Sequence, residues 1–230
     1  MRKKREEGER EKVIVLGGMI GVGKTTYAES IADHLSSQVF YESVDNNPLL
    51  DKFYADKKRW AFALQIFFLN KRFKSIKKAL HNKNNVLDRS IYEDALFARI
   101  NYESGNMSQA EFDCYIELLE NMMEELEGMP KKAPDLFIYL QASFDTIEER
   151  IQKRGRDFEQ FDNNPDLEAY MKNLHSRYDD WVFNHYNASE ILVINADKYD
   201  ITQKEDAQEV LAQIDQRLVE LEKENKRRIS

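Results

Sequence analysis

The chain has 230 residues, a length that suits one large α/β domain or two small ones. Hydrophobic residues make up 42% of it and charged residues 33%, which excludes a wholly disordered or collagen-like protein. The formal net charge of −8 argues against a general nucleic-acid or anionic-membrane binder, because such proteins need a basic face. Small anionic ligands stay compatible with this charge, since backbone N–H groups alone can hold a phosphate.

Cysteine usage and the first residues point to a compartment. The single cysteine, Cys114, excludes an internal disulfide framework and favours a reducing environment, and we interpret it as a small buried hydrophobic residue. Residues 1–12 alternate charges without a hydrophobic period, so we expect a charged, disordered extension and no signal peptide. No apolar stretch is long enough to span a bilayer. These features predict a soluble cytoplasmic protein.

The predicted strands and helices alternate along residues 13–226, which we interpret as a single domain. The first strand, at 13–16, is a short apolar run, and the helix after it, at 25–36, repeats apolar residues at i, i+4 and i+8. Further strands are expected near 39–41, 85–87, 135–140 and 190–194. Helices are expected near 54–81, 91–102, 109–126, 146–153, 166–184 and 204–226. This alternation predicts an α/β fold with a five-stranded parallel sheet and helices on both faces.

Residues 18–25 carry a phosphate-binding pattern, Gly-Met-Ile-Gly-Val-Gly-Lys-Thr, which matches G-x-x-x-x-G-K-[ST]. The pattern follows a predicted strand and opens a predicted helix, as its chemistry requires. Lys24 is expected to reach the β- and γ-phosphates, and the Thr25 hydroxyl can be a ligand of Mg²⁺. The expected nucleotide contacts are Gly18, Met19, Ile20, Gly21, Val22, Gly23, Lys24, Thr25 and Thr26.

Charged residues also follow the second and third predicted strands. Glu42 comes after the second strand, and Asp88 and Arg89 come directly after the third. The carboxyl ends of parallel strands form the crevice where such sheets bind ligands. Taken singly, Glu42 could be a surface acid and Asp88-Arg89 a local ion pair. Together with the phosphate loop, they favour an active site.

An arginine-rich stretch follows the fourth predicted strand. Arg150 and Arg154 share one helix face at i, i+4, Gly155 is expected to end that helix, and Arg156 lies just beyond it. Alone, this run could be a favourable helix C-terminus. Beside a phosphate loop, it favours a functional role for the three arginines.

In order along the chain, these motifs resemble the deoxynucleoside kinase family. They are the phosphate loop, Glu42, Trp60-(x)4-Gln65-(x)6-Arg72, Asp-Arg-Ser at 88–90, Tyr-Leu-Gln-Ala at 139–142 and Arg-Gly-Arg-(x)2-Glu at 154–159. The resemblance runs from about residue 13 to 214, and residues 88–97 look like the bacterial deoxyadenosine kinase branch. The chain departs from the family pattern at Gly17-Gly18 and at Asp157-Phe158. The resemblance implies a P-loop kinase fold with an Arg-rich lid that contacts the nucleotide.

The resemblance also implies an activity, the transfer of the γ-phosphoryl group of ATP to the 5′-hydroxyl of a deoxynucleoside. In that reaction Glu42 would be the general base, Arg89 would bridge the 5′-oxygen and the phosphoryl group, and Asp88 would hold Mg²⁺ through water. Compensating positive charge would come from Mg²⁺ and from the side chains of Lys24, Arg150, Arg154 and Arg156.

Acceptor contacts follow from the same resemblance. Tyr54 and Glu159 would hold the 3′-hydroxyl, and Gln65, Arg72 and Asp94 would read the base. An ionised Asp94 only accepts hydrogen bonds, so we expect deoxyadenosine as the best acceptor, deoxycytidine as a tolerated one and thymidine as a poor one. Guanine stays open, because Arg72 can donate to a carbonyl. The phenylalanines of the predicted helix at 54–81, Phe68 among them, are expected to pack in the core rather than stack on a base.

Two other functions stay open. A nucleoside monophosphate kinase of the thymidylate kinase type would need an arginine beside the acid after the second strand, and Tyr41 and Ser43 stand there instead. A nucleotide-switch protein would have less use for three lid arginines. The resemblance further implies a homodimer or a heterodimer with a related kinase subunit. We expect no nucleic-acid or membrane partner.

Overall fold

The computed structural model describes residues 12–41, 47–79, 85–127, 134–161 and 164–229. Its centre is a five-stranded parallel sheet in the order β2-β3-β1-β4-β5. The strands are β1 (Val13–Gly17), β2 (Gln38–Phe40), β3 (Asn85–Asp88), β4 (Leu136–Gln141) and β5 (Ile191–Asn195). The predicted parallel sheet is therefore confirmed, and all residues of β1 are buried, as expected where helices cover both faces.

Helices surround the sheet and connect its strands. They are α1 (Lys24–Leu35), α2 (Leu50–Ala55), α3 (Lys57–Ala79), α4 (Tyr92–Glu103), α5 (Gln109–Glu127), α6 (Phe144–Arg154), α7 (Pro165–Asp180) and α8 (Lys204–Ile229). A 3₁₀ turn at Asp157–Glu159 follows α6, and a π-helical turn at Trp181–His185 follows α7. No helix in the described ranges combines the length and apolar character needed to cross a membrane.

The prediction of one continuous helix over 54–81 is wrong. The chain breaks at Asp56, whose side chain accepts a hydrogen bond from the N–H of Arg59 at 3.1 Å, as residues do at a helix start. Tyr54 consequently lies on α2 and not on the helix that carries Gln65 and Arg72. Residues 80 and 81 lie outside the described ranges, as do residues 1–11 of the extension predicted at 1–12; Lys12 is described, and its Nζ lies 2.6 Å from Glu222 Oε1.

The interpretation of Cys114 as a buried residue is also wrong, because its side chain is exposed on α5. Its neighbour Tyr115 is the residue that points into the core, with no exposed surface. Consecutive residues on a helix point in different directions, so Cys114 faces solvent while Tyr115 faces the core.

The pairing of the central strands determines where the site forms. Leu16 of β1 lies beside Asp88 of β3, and Gly17 lies beside Tyr139 of β4. The turn after β1 therefore meets the end of β3. Gly17 is closely packed: a Cβ atom there would lie 2.2 Å from the ring of Phe137, so the ring fills the space that a side chain would need.

Candidate active site

An open cleft with a volume of about 740 Å³ lies at the carboxyl ends of β1 and β3. The phosphate loop forms one end, and residues of α2, α3 and α4 form the other. It is lined by the predicted residues Ile20, Gly21, Gly23, Lys24, Thr25, Thr26, Tyr54, Gln65, Arg72, Asp88, Arg89, Asp94, Arg150, Arg154, Arg156 and Glu159. Met19 and Val22 are buried in the core, and Glu42 lies outside the described residues.

The phosphate loop requires glycine at its first residue and at the residue before Lys24. Gly18 has φ of +140° and Gly23 has φ of +100°, values that side chains rarely allow. A Cβ on Gly18 would lie 2.6 Å from the carbonyl oxygen of Leu140. The buried Lys24 Nζ donates to the carbonyl oxygens of Gly18 (2.9 Å) and Met19 (3.0 Å), which holds its ammonium group over the loop.

Beside the loop, Thr25 and Asp88 bring two oxygens together. The Thr25 hydroxyl donates to Asp88 Oδ2 at 2.6 Å, because the register of β1 and β3 places α1 next to the end of β3. Within the described ranges, no group of three or more His, Cys, Asp or Glu side chains could hold a metal ion.

Arg89 has an unusual backbone and a buried side chain. Its φ is +98°, an uncommon value outside glycine that persists where surrounding contacts hold it. Its Nη1 donates to the Tyr178 hydroxyl (2.9 Å) and to Glu93 Oε1 (3.2 Å), and its guanidinium lies 4.9 Å from the ring centre of Phe97. Burial raises the pKa of Tyr178 well above its ordinary value, so this hydroxyl keeps its proton.

Sequence analysis missed Glu93, which is completely buried. Its Oε1 accepts hydrogen bonds from the Gly18 N–H (3.0 Å), the Tyr178 hydroxyl (3.2 Å) and Arg89, and its Oε2 accepts one from the Ser90 N–H (2.9 Å). The available signal was its position four residues after Arg89, where one helical turn brings side chains together. For Tyr178 the sequence carries no local signal.

The far end of the cleft holds a buried ion pair. Arg72 Nε on α3 donates to Asp94 Oδ2 on α4 at 2.6 Å. Gln65, also buried, lies on the same side of α3, two turns before Arg72. Phe68, which we expected to pack only in the core, also lines the cleft. A planar group between these residues would meet hydrogen-bond donors and acceptors at its edge.

The arginine-rich stretch ends α6 as the sequence indicated. Gly155 follows the helix with φ of +69°, and Arg154 and Arg156 both pair with the buried carboxylate of Glu159, Arg156 at 3.6 Å. Tyr54 stacks on the neighbouring Phe158, with ring centres 5.7 Å apart.

Arg150 takes a different position. Its guanidinium donates to the carbonyl oxygens of Val22 and, at 2.7 Å, Ala196, so it joins the end of the phosphate loop to the segment after β5. In that segment Asp200, Ile201 and Thr202 also line the cleft, which sequence analysis missed because they carry no motif.

Comparison with known proteins identifies the family. The sequence model named Deoxynucleoside kinase matches residues 14–220. The chain belongs to the deoxynucleoside kinase family. The deoxyguanosine kinase of Lactobacillus johnsonii is 50% identical over 212 residues, which cover 92% of this chain and 94% of the relative. The deoxyadenosine kinase of Lactobacillus acidophilus is 48% identical over 210 residues, which cover 91% and 97%.

A solved structure agrees with this assignment. The deoxyadenosine kinase from M. mycoides with bound dATP has a TM-score of 0.75 and 29% sequence identity, and the match covers 88% of this chain and 99% of that one. The deoxyadenosine/deoxycytidine kinase of Bacillus subtilis is 36% identical over 200 residues, which cover 86% of this chain and 88% of the relative. This deoxynucleoside kinase is therefore an enzyme with a P-loop kinase fold, as its motifs predicted.

Proposed function

We propose that this deoxynucleoside kinase transfers the γ-phosphoryl group of ATP to the 5′-hydroxyl of a deoxynucleoside and prefers deoxyadenosine. The observation that carries the proposal is the buried Arg72–Asp94 pair, which lines the same cleft as the phosphate loop. One cleft can therefore hold the donor phosphates at one end and an acceptor base at the other. Family membership favours this reaction over a monophosphate kinase or a nucleotide switch.

The chemistry of the pair supports an adenine acceptor. The Asp94 carboxylate accepts hydrogen bonds, and adenine and cytosine offer it an exocyclic amino group where guanine and thymine offer a carbonyl oxygen. A site built to pair with such a donor rejects the analogue lacking it by up to about 10⁴-fold. Deoxycytidine would then rank second, and deoxyguanosine stays an open candidate, because Arg72 can donate to its carbonyl oxygen and similar relatives are named for either purine.

Phosphoryl transfer requires alignment and compensation of charge rather than covalent help from the protein. Lys24 would exchange its loop carbonyls for the β- and γ-phosphate oxygens, and Arg154 and Arg156 would turn toward the transferred group. Arg89, which lines the cleft and is held by Glu93 and Tyr178, would contact the 5′-oxygen. Glu42, outside the described residues, would accept the 5′-hydroxyl proton as general base.

The oxygen pair at Thr25 and Asp88 supports a magnesium site. A hydroxyl and a carboxylate are ligands that Mg²⁺ prefers, and Mg²⁺ usually completes its shell with water and nucleotide phosphates. We infer that Thr25 binds the ion directly and that Asp88 holds it through water. The bound ion would supply positive charge to the phosphate oxygens.

The sugar would lie between α2 and the turn after α6. Glu159, which pairs with Arg154 and Arg156 in this structure, would offer its carboxylate oxygens to the 3′-hydroxyl when the two arginines turn to phosphate, and Tyr54 would offer its own hydroxyl. Both side chains are buried and line the cleft, so they would contact the acceptor without a large rearrangement.

Assembly and location belong to the same proposal. We infer a homodimer or a pair with a related kinase subunit, which the family resemblance implies and which the partly exposed Leu118 and Met122, one turn apart on α5, support. We infer a cytoplasmic enzyme without nucleic-acid or membrane partners. Analytical ultracentrifugation of the purified chain would yield the mass of a dimer if it is a homodimer, and a monomer at micromolar concentration would contradict the homodimer and favour the pair with a related subunit.

The reaction is tested with the purified protein, Mg-ATP and each of the four deoxynucleosides, with thymidine monophosphate and a no-acceptor reaction as controls. We expect ADP release with deoxyadenosine, accompanied by deoxyadenosine 5′-monophosphate on chromatography, and much less with thymidine. Release that depends on thymidine monophosphate would indicate the monophosphate kinase. Release without any acceptor would indicate a nucleotide switch.

A further inference from the structure

Glu93 joins three segments that are distant in sequence. Its carboxylate accepts from the N–H of Gly18 in the phosphate loop, from Arg89 and Ser90 after β3, and from Tyr178 on α7. The side chain has no exposed surface, so no part of it is available to a substrate. A buried carboxylate is costly unless its oxygens are hydrogen-bonded, and four donors meet that requirement here.

These contacts hold Arg89 at two points. Glu93 Oε1 fixes the guanidinium, and Oε2 fixes the N–H of Ser90, directly after the residue with φ of +98°. An uncommon backbone conformation persists only where its surroundings determine it, and both carboxylate oxygens do so here. The side chain and the backbone of Arg89 therefore depend on the same carboxylate.

The third contact extends this control to the nucleotide end of the cleft. The Gly18 N–H lies at the start of the phosphate loop, and Lys24 Nζ donates to the carbonyl oxygen of the same residue. A shift of Glu93 would consequently move both the loop and Arg89.

We propose that Glu93 is a positioning residue that couples the phosphate loop to Arg89, so that donor and acceptor are aligned by one buried carboxylate. The role of Arg89 in this inference rests on the proposed function. Glu93 itself touches no substrate and acts through the groups that it holds.

The test begins with Glu93→Gln, which keeps the size of the side chain. In one orientation the NH₂ of the carboxamide faces the Ser90 N–H, which is also a donor. In the other orientation it faces the three donors that now bind Oε1, from Gly18, Arg89 and Tyr178. We expect kcat to fall about 10- to 100-fold, the scale of a small misalignment, and the dissociation constant for ADP to rise several-fold in calorimetry. Glu103→Gln, on the exposed end of the same helix, is the matched control and should change neither value more than about twofold.

A double-mutant cycle with Arg89→Ala separates positioning from general support of the fold. If Glu93 acts through Arg89, Glu93→Gln should lower kcat by less than about threefold in the Arg89→Ala background. Independent, multiplicative losses in kcat would overturn the proposal. An unchanged ADP dissociation constant would also overturn it, since the link to the phosphate loop would then be absent.

A second variant keeps the test decisive if Glu93→Gln does not fold. Tyr178→Phe removes one donor of the network and leaves the carboxylate in place. We expect a kcat loss of about 3- to 10-fold that disappears in the Arg89→Ala background, and an unchanged kcat would overturn the proposal. Absence of nucleoside kinase activity in the unmodified enzyme would refute the proposed function instead, while the ADP affinity of the variants would still report on the coupling.

Discussion

Arg72 and Asp94 face each other across the interface of α3 and α4, with 2.6 Å between Nε and Oδ2 and less than a tenth of either side chain exposed. A buried ion pair contributes little net stability, because desolvation of both charges offsets their attraction. Its position on the cleft wall supports the base-reading role proposed above. The pair presents a fixed acceptor beside a fixed donor, the arrangement that distinguishes bases by their edges.

Asp94→Asn tests this use. We expect kcat/KM for deoxyadenosine to fall by about 10²-fold or more, because the amide can turn its NH₂ group toward the adenine amino group. The value for thymidine should fall much less. The ratio of the two kcat/KM values, measured on one preparation, does not depend on how much of the enzyme is folded. Equal losses for both acceptors would show that Asp94 supports the fold and that other residues select the base.

Glu42→Gln tests the general base. We expect kcat to fall by about 10²- to 10⁴-fold, the range for a lost general base, while the dissociation constant for ATP stays near that of the unmodified enzyme. Rapid-quench kinetics and calorimetry measure the two quantities. Loss of ATP affinity with turnover preserved would make Glu42 a binding or structural residue.

The turn after α6 should become less mobile when nucleotide binds. Glu159 already pairs with both Arg154 and Arg156, so phosphate would have to compete with this one carboxylate for the guanidinium groups. We expect amide hydrogen exchange across residues 152–160 to slow with a bisubstrate nucleotide. Exchange across α8 serves as the internal control. Equal rates with and without the ligand in residues 152–160 would argue against a lid.

Two buried tyrosines should respond differently to loss of the hydroxyl. Within the described part of the chain, no group hydrogen-bonds the Tyr115 hydroxyl, whereas the Tyr139 hydroxyl donates to Asp179 at 2.7 Å. Tyr115→Phe should leave the free energy of unfolding within about 0.5 kcal/mol or raise it, and Tyr139→Phe should lower it by about 1.5 kcal/mol. Urea unfolding measures both. A large loss for Tyr115→Phe would reveal a partner for its hydroxyl.

Asp197 makes stability depend on pH. Its carboxylate accepts from the Ser143 N–H at the start of α6 at 2.9 and 3.0 Å. Burial acts to raise the pKa of Asp197, but hydrogen bonds from Thr146 and Ser143 outweigh it and hold the pKa below its ordinary value. The unfolded chain therefore binds the proton more readily, so this contribution is present above the unfolded pKa of about 3.9 and is lost as the pH falls further.

The corresponding variant is Asp197→Asn. At pH 7 it should lower the free energy of unfolding by about 0.5–1 kcal/mol, the lower part of the net contribution of a hydrogen bond, because Asp197 is exposed. The difference from the unmodified protein should shrink as the pH falls below about 4. Urea unfolding at pH 7, 5 and 3.5 tests this, and a difference that stays constant across the series would contradict the assignment.

Elements with strong local patterns could be predicted from the sequence. Apolar β-branched runs identified the strands, and the loop motif identified one end of the cleft. The helix break at Asp56 was missed because apolar spacing continues across it, although an aspartate three residues before Arg59 is a helix-start signal. Cys114 was misplaced because a one-residue error in helix phase exchanges an exposed position for a buried one.

Contacts made by distant residues could not be predicted in this way. Tyr178 reaches Arg89 from α7, and the segment after β5 reaches the phosphate loop, only once the sheet has formed. Neither Tyr178 nor the segment after β5 belongs to a sequence motif that would identify it as part of the site. Glu93 is intermediate, because its place in the Asp88–Asp94 motif was visible and its contact with Gly18 was not.

Because of the close packing at Gly17, we expect residues 17 and 137, which are 120 residues apart in the sequence, to change together in evolution. Gly17 has an ordinary backbone conformation, so the obstacle to alanine is the Phe137 ring, with Glu93 Cδ also only 3.2 Å from the added Cβ. In related sequences we therefore expect the two sites to covary, with alanine or serine at 17 accompanied by a smaller side chain than phenylalanine at 137. A laboratory version is Gly17→Ala, whose defect Phe137→Leu should partly reverse.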